Sequence, residues 1–136
     1  MVKEKSCGII LSRRANDDLY FLLLHYKSGH WDFSKGHVES GEDEKGTAAR
    51  EMTEETGIKD IKFIDGFREV VSYFFRREKE TVSKEVIFYL AETESDTVKI
   101  SHEHTGYKWL NYEDSLKKLT FENSREILKK AMSFIS

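Results

Sequence analysis

Three glutamates stand within one short stretch of the chain, Arg50-Glu51-Met52-Thr53-Glu54-Glu55. On a helix, Glu51, Glu54 and Glu55 fall at i, i+3 and i+4, an arc of roughly 100° at 3.6 residues per turn, so all three share one face. Like charges that close repel and raise one another's pKa unless a cation compensates, which makes the trio a candidate divalent-metal site. Oxygen-only donors favour a hard ion, Mg²⁺ or Mn²⁺. Taken alone, a Glu-rich helix face also fits plain solvated surface, because Glu is a good helix former.

The flanking residues add constraints. A helix over about Asp43 to Thr56 ends just before Gly57, where a positive φ closes a helix at little cost. Gly36 and Gly41 bracket a loop expected to bend sharply and bring backbone close to a phosphate. Arg50 can pair with Glu42 or Glu54 and fix its rotamer. Glu42 lies half a turn out of phase with Glu51 and so belongs to the loop entering the helix. Ala48, Ala49 and Met52 supply the buried side. From Gly36 to Ile58 the run reads Gly, five residues, Glu, seven residues, Arg-Glu, apolar, any, Glu-Glu, any, Gly, apolar. It resembles the Nudix box at every specified position.

These residues need elements to carry them. The 136 residues suit a single domain, here a Nudix domain over 1–136 with its box at 36–58. With 35% charged and 38% hydrophobic residues the composition is that of a soluble globular chain, and a net charge of -3 gives no general attraction to nucleic acid or membrane. No apolar run approaches the ~20 residues of a membrane span and the N-terminus does not read as a signal peptide, so a cytoplasmic location is the expectation. Cys7, the only cysteine, sits in an apolar run and reads as a small buried hydrophobe. Ser6–Arg13 and Tyr20–His25 read as strands joined by a turn at Ala15-Asn16-Asp17-Asp18. Ile61–Phe75 holds one or two more strands, Val86–Ala91 a buried one after a polar turn over Arg76–Lys84, and Tyr107–Leu110 a short one. Asn123 or Ser124 is expected to cap a final helix whose apolar residues recur from Ile127 to Ile135. An α/β fold follows, and the Nudix resemblance implies an α/β/α sandwich with a mixed β-sheet between helices.

Further resemblances lie outside the box. Trp31-Asp32-Phe33-Ser34-Lys35-Gly36-His37-Val38-Glu39, Ser101-His102-Glu103-His104 and Tyr107-Lys108-Trp109-Leu110 are similar to segments of the asymmetric diadenosine tetraphosphate hydrolases. One departure is visible: Ser34 stands where that group usually has proline, leaving the loop before Lys35 less restricted in φ. The resemblance implies Glu51 and Glu55 as metal ligands, Glu54 assisting or binding a second ion, and Glu103 ligating metal or acting as general base, with Arg50 and Glu42 completing the catalytic set. His30, Lys35 and Lys84 would hold the polyphosphate, and Tyr73 and Tyr107 would sandwich an adenine. His102 and His104 suggest zinc at first sight, but no further ligands stand at a recognisable spacing.

The implied activity is metal-dependent attack of water on phosphorus, splitting diadenosine tetraphosphate into ATP and AMP. Alternatives are an RNA 5′-pyrophosphohydrolase, a nucleoside triphosphate hydrolase, or a non-catalytic nucleotide-binding regulatory module. The full set of box carboxylates speaks against the last. A nucleotide polyphosphate is the expected partner, with no membrane and no stable nucleic-acid partner.

Overall fold

The continuous apolar run after Lys5 forms the centre of the sheet. The computed structural model describes residues 1–136. In it β1 (Val2–Ala15) is buried without a break from Ser6 to Ser12, as a strand covered on both faces must be. It turns into β2 (Asp18–Tyr26) through Asn16 and Asp17, whose φ angles of 53° and 68° match a tight hairpin turn with two left-handed residues. That is the hairpin expected from the sequence. Two short strands, β3 (Trp31–Asp32) and β4 (Ser34–His37), fill the gap where β1 and β2 diverge, β3 pairing with β2 and β4 with β1.

Beyond the helix α1 (Glu44–Thr56), β5 (Lys62–Arg77) and β6 (Glu80–Glu92) form a long antiparallel ribbon, and β6 runs parallel to β1. The last strand, β7 (His104–Leu110), pairs with β2 on the far edge. Polar residues Arg76–Lys84 were expected to form a turn, but only Glu78 and Lys79 do. Both strands continue through the polar stretch because their ladder reaches Arg77↔Glu80 and Arg76 donates to Thr81 Oγ1 at 2.8 Å. Hydrophobicity falls there because the ribbon's tip is wet, not because strand pairing ends.

Two helices, α2 (Tyr112–Lys118) and α3 (Glu122–Ile135), follow. One core lies between the sheet and α3, built on Phe21, Phe33, Val86 and Leu128; the other lies under α1, built on Ile9, Leu24, Met52 and Ile87. The result is the expected sandwich, with a mixed sheet between helices. Cys7 is fully buried in the second core. The start of α3 differs from expectation: Phe121 occupies the cap position without a side-chain hydrogen bond. Ser124 is unavailable for that job because its Oγ donates to buried Asp32 Oδ1 at 2.8 Å. No helix is long and apolar enough to cross a membrane.

Candidate active site

Helix α1 begins on Asp43, whose side chain accepts from Gly46 N, and stops at Gly57, φ +77°, whose N–H donates to Thr53 O. Between those caps the helix projects Glu51, Glu54 and Glu55 into a cavity of about 580 Å³. The segment before β7 closes the opposite wall. It is stitched to the end of α1 by Lys99 N donating to Thr56 O at 2.9 Å and Ser101 N to Glu55 O at 3.1 Å. That stitching carries Glu103, 48 positions from Glu55 in the numbering, into the same cavity. Lys35 and Gly36 of β4 form the floor. Gly36 lies in an extended strand, not at the sharp bend expected of it; what demands glycine is Glu51, whose carboxylate occupies the space a Cβ would need.

Arg50 organises the acidic rim. Its Nε and Nη2 donate to the two oxygens of Glu42 at 2.6 and 3.1 Å, and Nη1 donates to Glu51 Oε1 at 3.0 Å and Glu54 Oε2 at 3.1 Å. Nη2 also donates to His37 O. Glu42 accepts further from Glu39 N and Thr47 Oγ1, and with Arg50 the largest cause its carboxyl is held down to about 2. Glu42 is therefore a brace for the loop and for Arg50, and it does not line the cavity. Arg50 occupies one oxygen each of Glu51 and Glu54 and leaves the other free.

Glu55 is in a different condition. It is only 3% exposed, and burial, then the Glu51 carboxyl beside it, push its pKa well above the usual carboxylate range. Its Oε1 is buried without a hydrogen-bond partner. A buried carboxylate with an orphaned oxygen, beside two more carboxylates with a free oxygen each, fits a hard cation by donor chemistry. No three acidic or histidine side chains yet converge tightly enough to form a finished cage.

A second cavity, about 540 Å³, adjoins this one and is lined by His30, Asp32, Lys35, Tyr73 and Phe121 among others, with Val71, Val86 and Phe88 as its apolar wall. Lys35 borders both cavities, its Nζ 3.2 Å from Asp32 Oδ2 and 4.8 Å above the Tyr26 ring. His30 stacks on Tyr26 at 4.5 Å. Lys84 stands to one side of both cavities, 3.0 Å from His37 Nε2 and 3.9 Å from Glu4 Oε1.

Tyr73 and Tyr107 are not brought together. Tyr107 pairs with Leu24, which faces α1, whereas Tyr73 lies two residues from Val71, which pairs with Val86 facing α3. Paired residues share a face and residues two apart in a strand share a face, so the tyrosines point to opposite sides of the sheet, on its two edge strands. One base cannot lie between them. The exposed aromatic that shares Tyr73's cavity is Phe121, 47% exposed at the entry of α3. Sequence reading passed over it; the available signal was a bulky aromatic outside the apolar periodicity of the helix it precedes. Asp32 and Tyr26 were likewise passed over, since each looks like part of an apolar run, and His104, weighed only as a zinc ligand, stands 3.9 Å from Glu55 Oε1. His104 is buried, while His102 is exposed at the acidic cavity.

The geometry has counterparts in known proteins. The mouse bis(5′-nucleosyl)-tetraphosphatase (asymmetrical) is 36% identical over 143 residues, covering 96% of this chain and 95% of its own. The corresponding Caenorhabditis elegans protein is 33% identical over 97% of this chain and 96% of its own. A crystal structure of a C. elegans Ap4A hydrolase binary complex superposes with a TM-score of 0.86 at 31% identity, covering 97% of each chain. A NUDIX domain model matches residues 3–131, nearly the whole chain, and with Glu51, Glu54 and Glu55 of the box gathered on one cavity the chain belongs to the Nudix hydrolase family.

Proposed function

We propose that this protein hydrolyses diadenosine tetraphosphate asymmetrically to ATP and AMP in a Mg²⁺-dependent reaction. The observation that carries the reading is that Lys35 borders both the acidic cavity and the aromatic one. A polyphosphate lying across Lys35 would have its reacting phosphorus among the carboxylates and an adenosine among Tyr73, Phe121 and His30. The names of the full-length relatives support the same substrate.

Glu51, Glu54 and Glu55 would hold the metal, with Glu103 either a further ligand or the base that takes the proton of the attacking water. Glu103 suits either role, being exposed at the cavity wall without a side-chain hydrogen bond. A bound divalent ion supplies polarisation of phosphate oxygens and a lowered pKa for water. Lys35 would neutralise the bridging phosphates, and Arg50 would keep Glu51 and Glu54 turned toward the cavity. His30, whose pKa burial lowers, is neutral at physiological pH and would serve as a hydrogen-bonding partner to phosphate or ribose. Base stacking on Tyr73 and Phe121 would contribute roughly 1 to 3 kcal/mol per ring.

The test is to incubate the protein with diadenosine tetraphosphate and Mg²⁺, with an EDTA control, and separate the nucleotides by chromatography. Equal ATP and AMP, abolished by EDTA, is the expected result. Two ADP would reject asymmetric cleavage. Absence of any product would reject this substrate and turn attention to RNA 5′ ends and nucleoside triphosphates.

A further inference from the structure

Four buried side-chain polar atoms in this chain lack a hydrogen-bond partner, and three of them surround one carboxylate: Glu55 Oε1 itself, His104 Nε2 and Ser34 Oγ. His104 Nε2 lies 3.9 Å from Glu55 Oε1, and the imidazole is fully shielded from solvent. That separation exceeds a hydrogen bond by under an ångström, within reach of a small carboxylate shift.

The ring is held firmly. Tyr26 packs edge-on against it at 4.5 Å and is anchored by its hydroxyl donating to Phe33 O at 2.6 Å. On the other side Ser101 Oγ meets Nδ1 at 3.1 Å. Ser101 Oγ accepts from Glu103 N at 3.3 Å, and its own proton is available to donate to Nδ1. An Nδ1 that accepts places the ring proton of the neutral imidazole on Nε2, the atom facing Glu55. Ser34, at the start of β4, presents its hydroxyl to the same carboxylate, where the hydroxyl favours the charged form. A proline at that position would offer no donor.

We propose that His104 and Ser34 are positioning residues for Glu55: Nε2–H and Oγ–H close on the carboxylate when it takes up a cation, fixing which oxygen faces the metal. This rests on the metal-site reading above. Outer donors of this kind orient ligating carboxylates, and their loss costs about 10- to 100-fold in metal affinity.

The experiment is Mn²⁺ binding to the nucleotide-free protein, followed by the electron paramagnetic resonance of free Mn²⁺, with thermal melting in EDTA as the measure of folding. His104→Phe keeps a flat ring against Tyr26 but has no N–H; it should weaken Mn²⁺ binding about tenfold or more, with melting near wild type. His104→Gln, which returns an amide N–H near the Nε2 position, should recover most of the loss. Ser34→Ala should weaken binding severalfold, and it carries the test alone should His104→Phe fail to fold. Wild-type affinity in both His104→Phe and Ser34→Ala, or equal loss in His104→Phe and His104→Gln, would overturn the inference. Glu55→Gln is the control: unchanged Mn²⁺ binding there would overturn the metal-site reading itself and this inference with it.

Discussion

Glu55 is the residue at which function works against stability. A carboxyl whose folded pKa is raised binds its proton more tightly in the folded than in the unfolded state, so the folded protein loses stability as pH rises from the ordinary value of 4.5 toward the raised one. Glu55→Gln removes that cost together with the proposed metal ligand. Turnover should fall about a thousandfold or more. In EDTA at pH 8 the variant should melt above wild type, with the gap closing toward pH 5; a variant that melts lower at pH 8 would show that Glu55 is not a buried liability. Glu42 has the opposite sign. Its carboxyl, held down to about 2 chiefly by Arg50, contributes stability that is fully present above about 4.5 and is lost as pH falls toward 2. Glu42→Gln should therefore melt lower than wild type at pH 7, with a difference that shrinks at pH 3. A gap that stays constant with pH would mean the Arg50 pair contributes little. The box itself disclosed these residues, because i, i+3, i+4 spacing is a property of any helix. It offered Glu42 and Glu54 alike as partners for Arg50; that Arg50 takes both oxygens of Glu42 depends on how the entering loop folds back.

The elements show why identical residues were legible to different degrees. Gly57 reads correctly as the helix stop, since a left-handed residue after the last turn is a local requirement. Gly36 does not, because its constraint comes from Glu51 on another element. The two should separate by substitution. Gly57→Ala imposes backbone strain of about 1 kcal/mol, roughly 3 °C in melting temperature, with little change in turnover. Gly36→Ala pushes the Glu51 carboxylate aside and should cut kcat about a hundredfold, the scale of loss expected when a reacting group is misplaced by about 1 Å. Turnover close to wild type in Gly36→Ala would mean that Glu51 is not needed where it stands. The long apolar runs of β1 and β2, the glutamate spacing and end signals of α1 and the apolar periodicity of α3 were readable; β3, β4 and α2 have two, four and seven residues and leave too short a pattern.

At the scale of the molecule, the sheet separates what the sequence seemed to join. Tyr73 and Tyr107 look equivalent as isolated aromatics near strands, and only the pairing register, Leu24↔Tyr107 against Val71↔Val86, assigns them to opposite faces. On the proposed reading, base recognition falls to the face that α3 covers, where Phe121 enters the cavity beside Tyr73. The proposed metal chemistry falls to the end of α1, and Lys35 in β4 is the residue that borders both cavities. This division predicts how binding energy is distributed along a substrate. Tyr73→Ala and Phe121→Ala should each raise KM for diadenosine tetraphosphate about tenfold, the lower part of the range for lost base stacking, while inhibition by inorganic tetraphosphate stays near wild type. Tyr107→Ala should leave both constants unchanged, because Tyr107 lines neither the acidic cavity nor the aromatic one. Lys35→Ala should weaken both ligands together, as a residue that meets the phosphate chain must. Should Tyr107→Ala instead raise KM for the dinucleotide alone, the second adenosine would have to lie across β7, and base recognition would extend to both faces of the sheet.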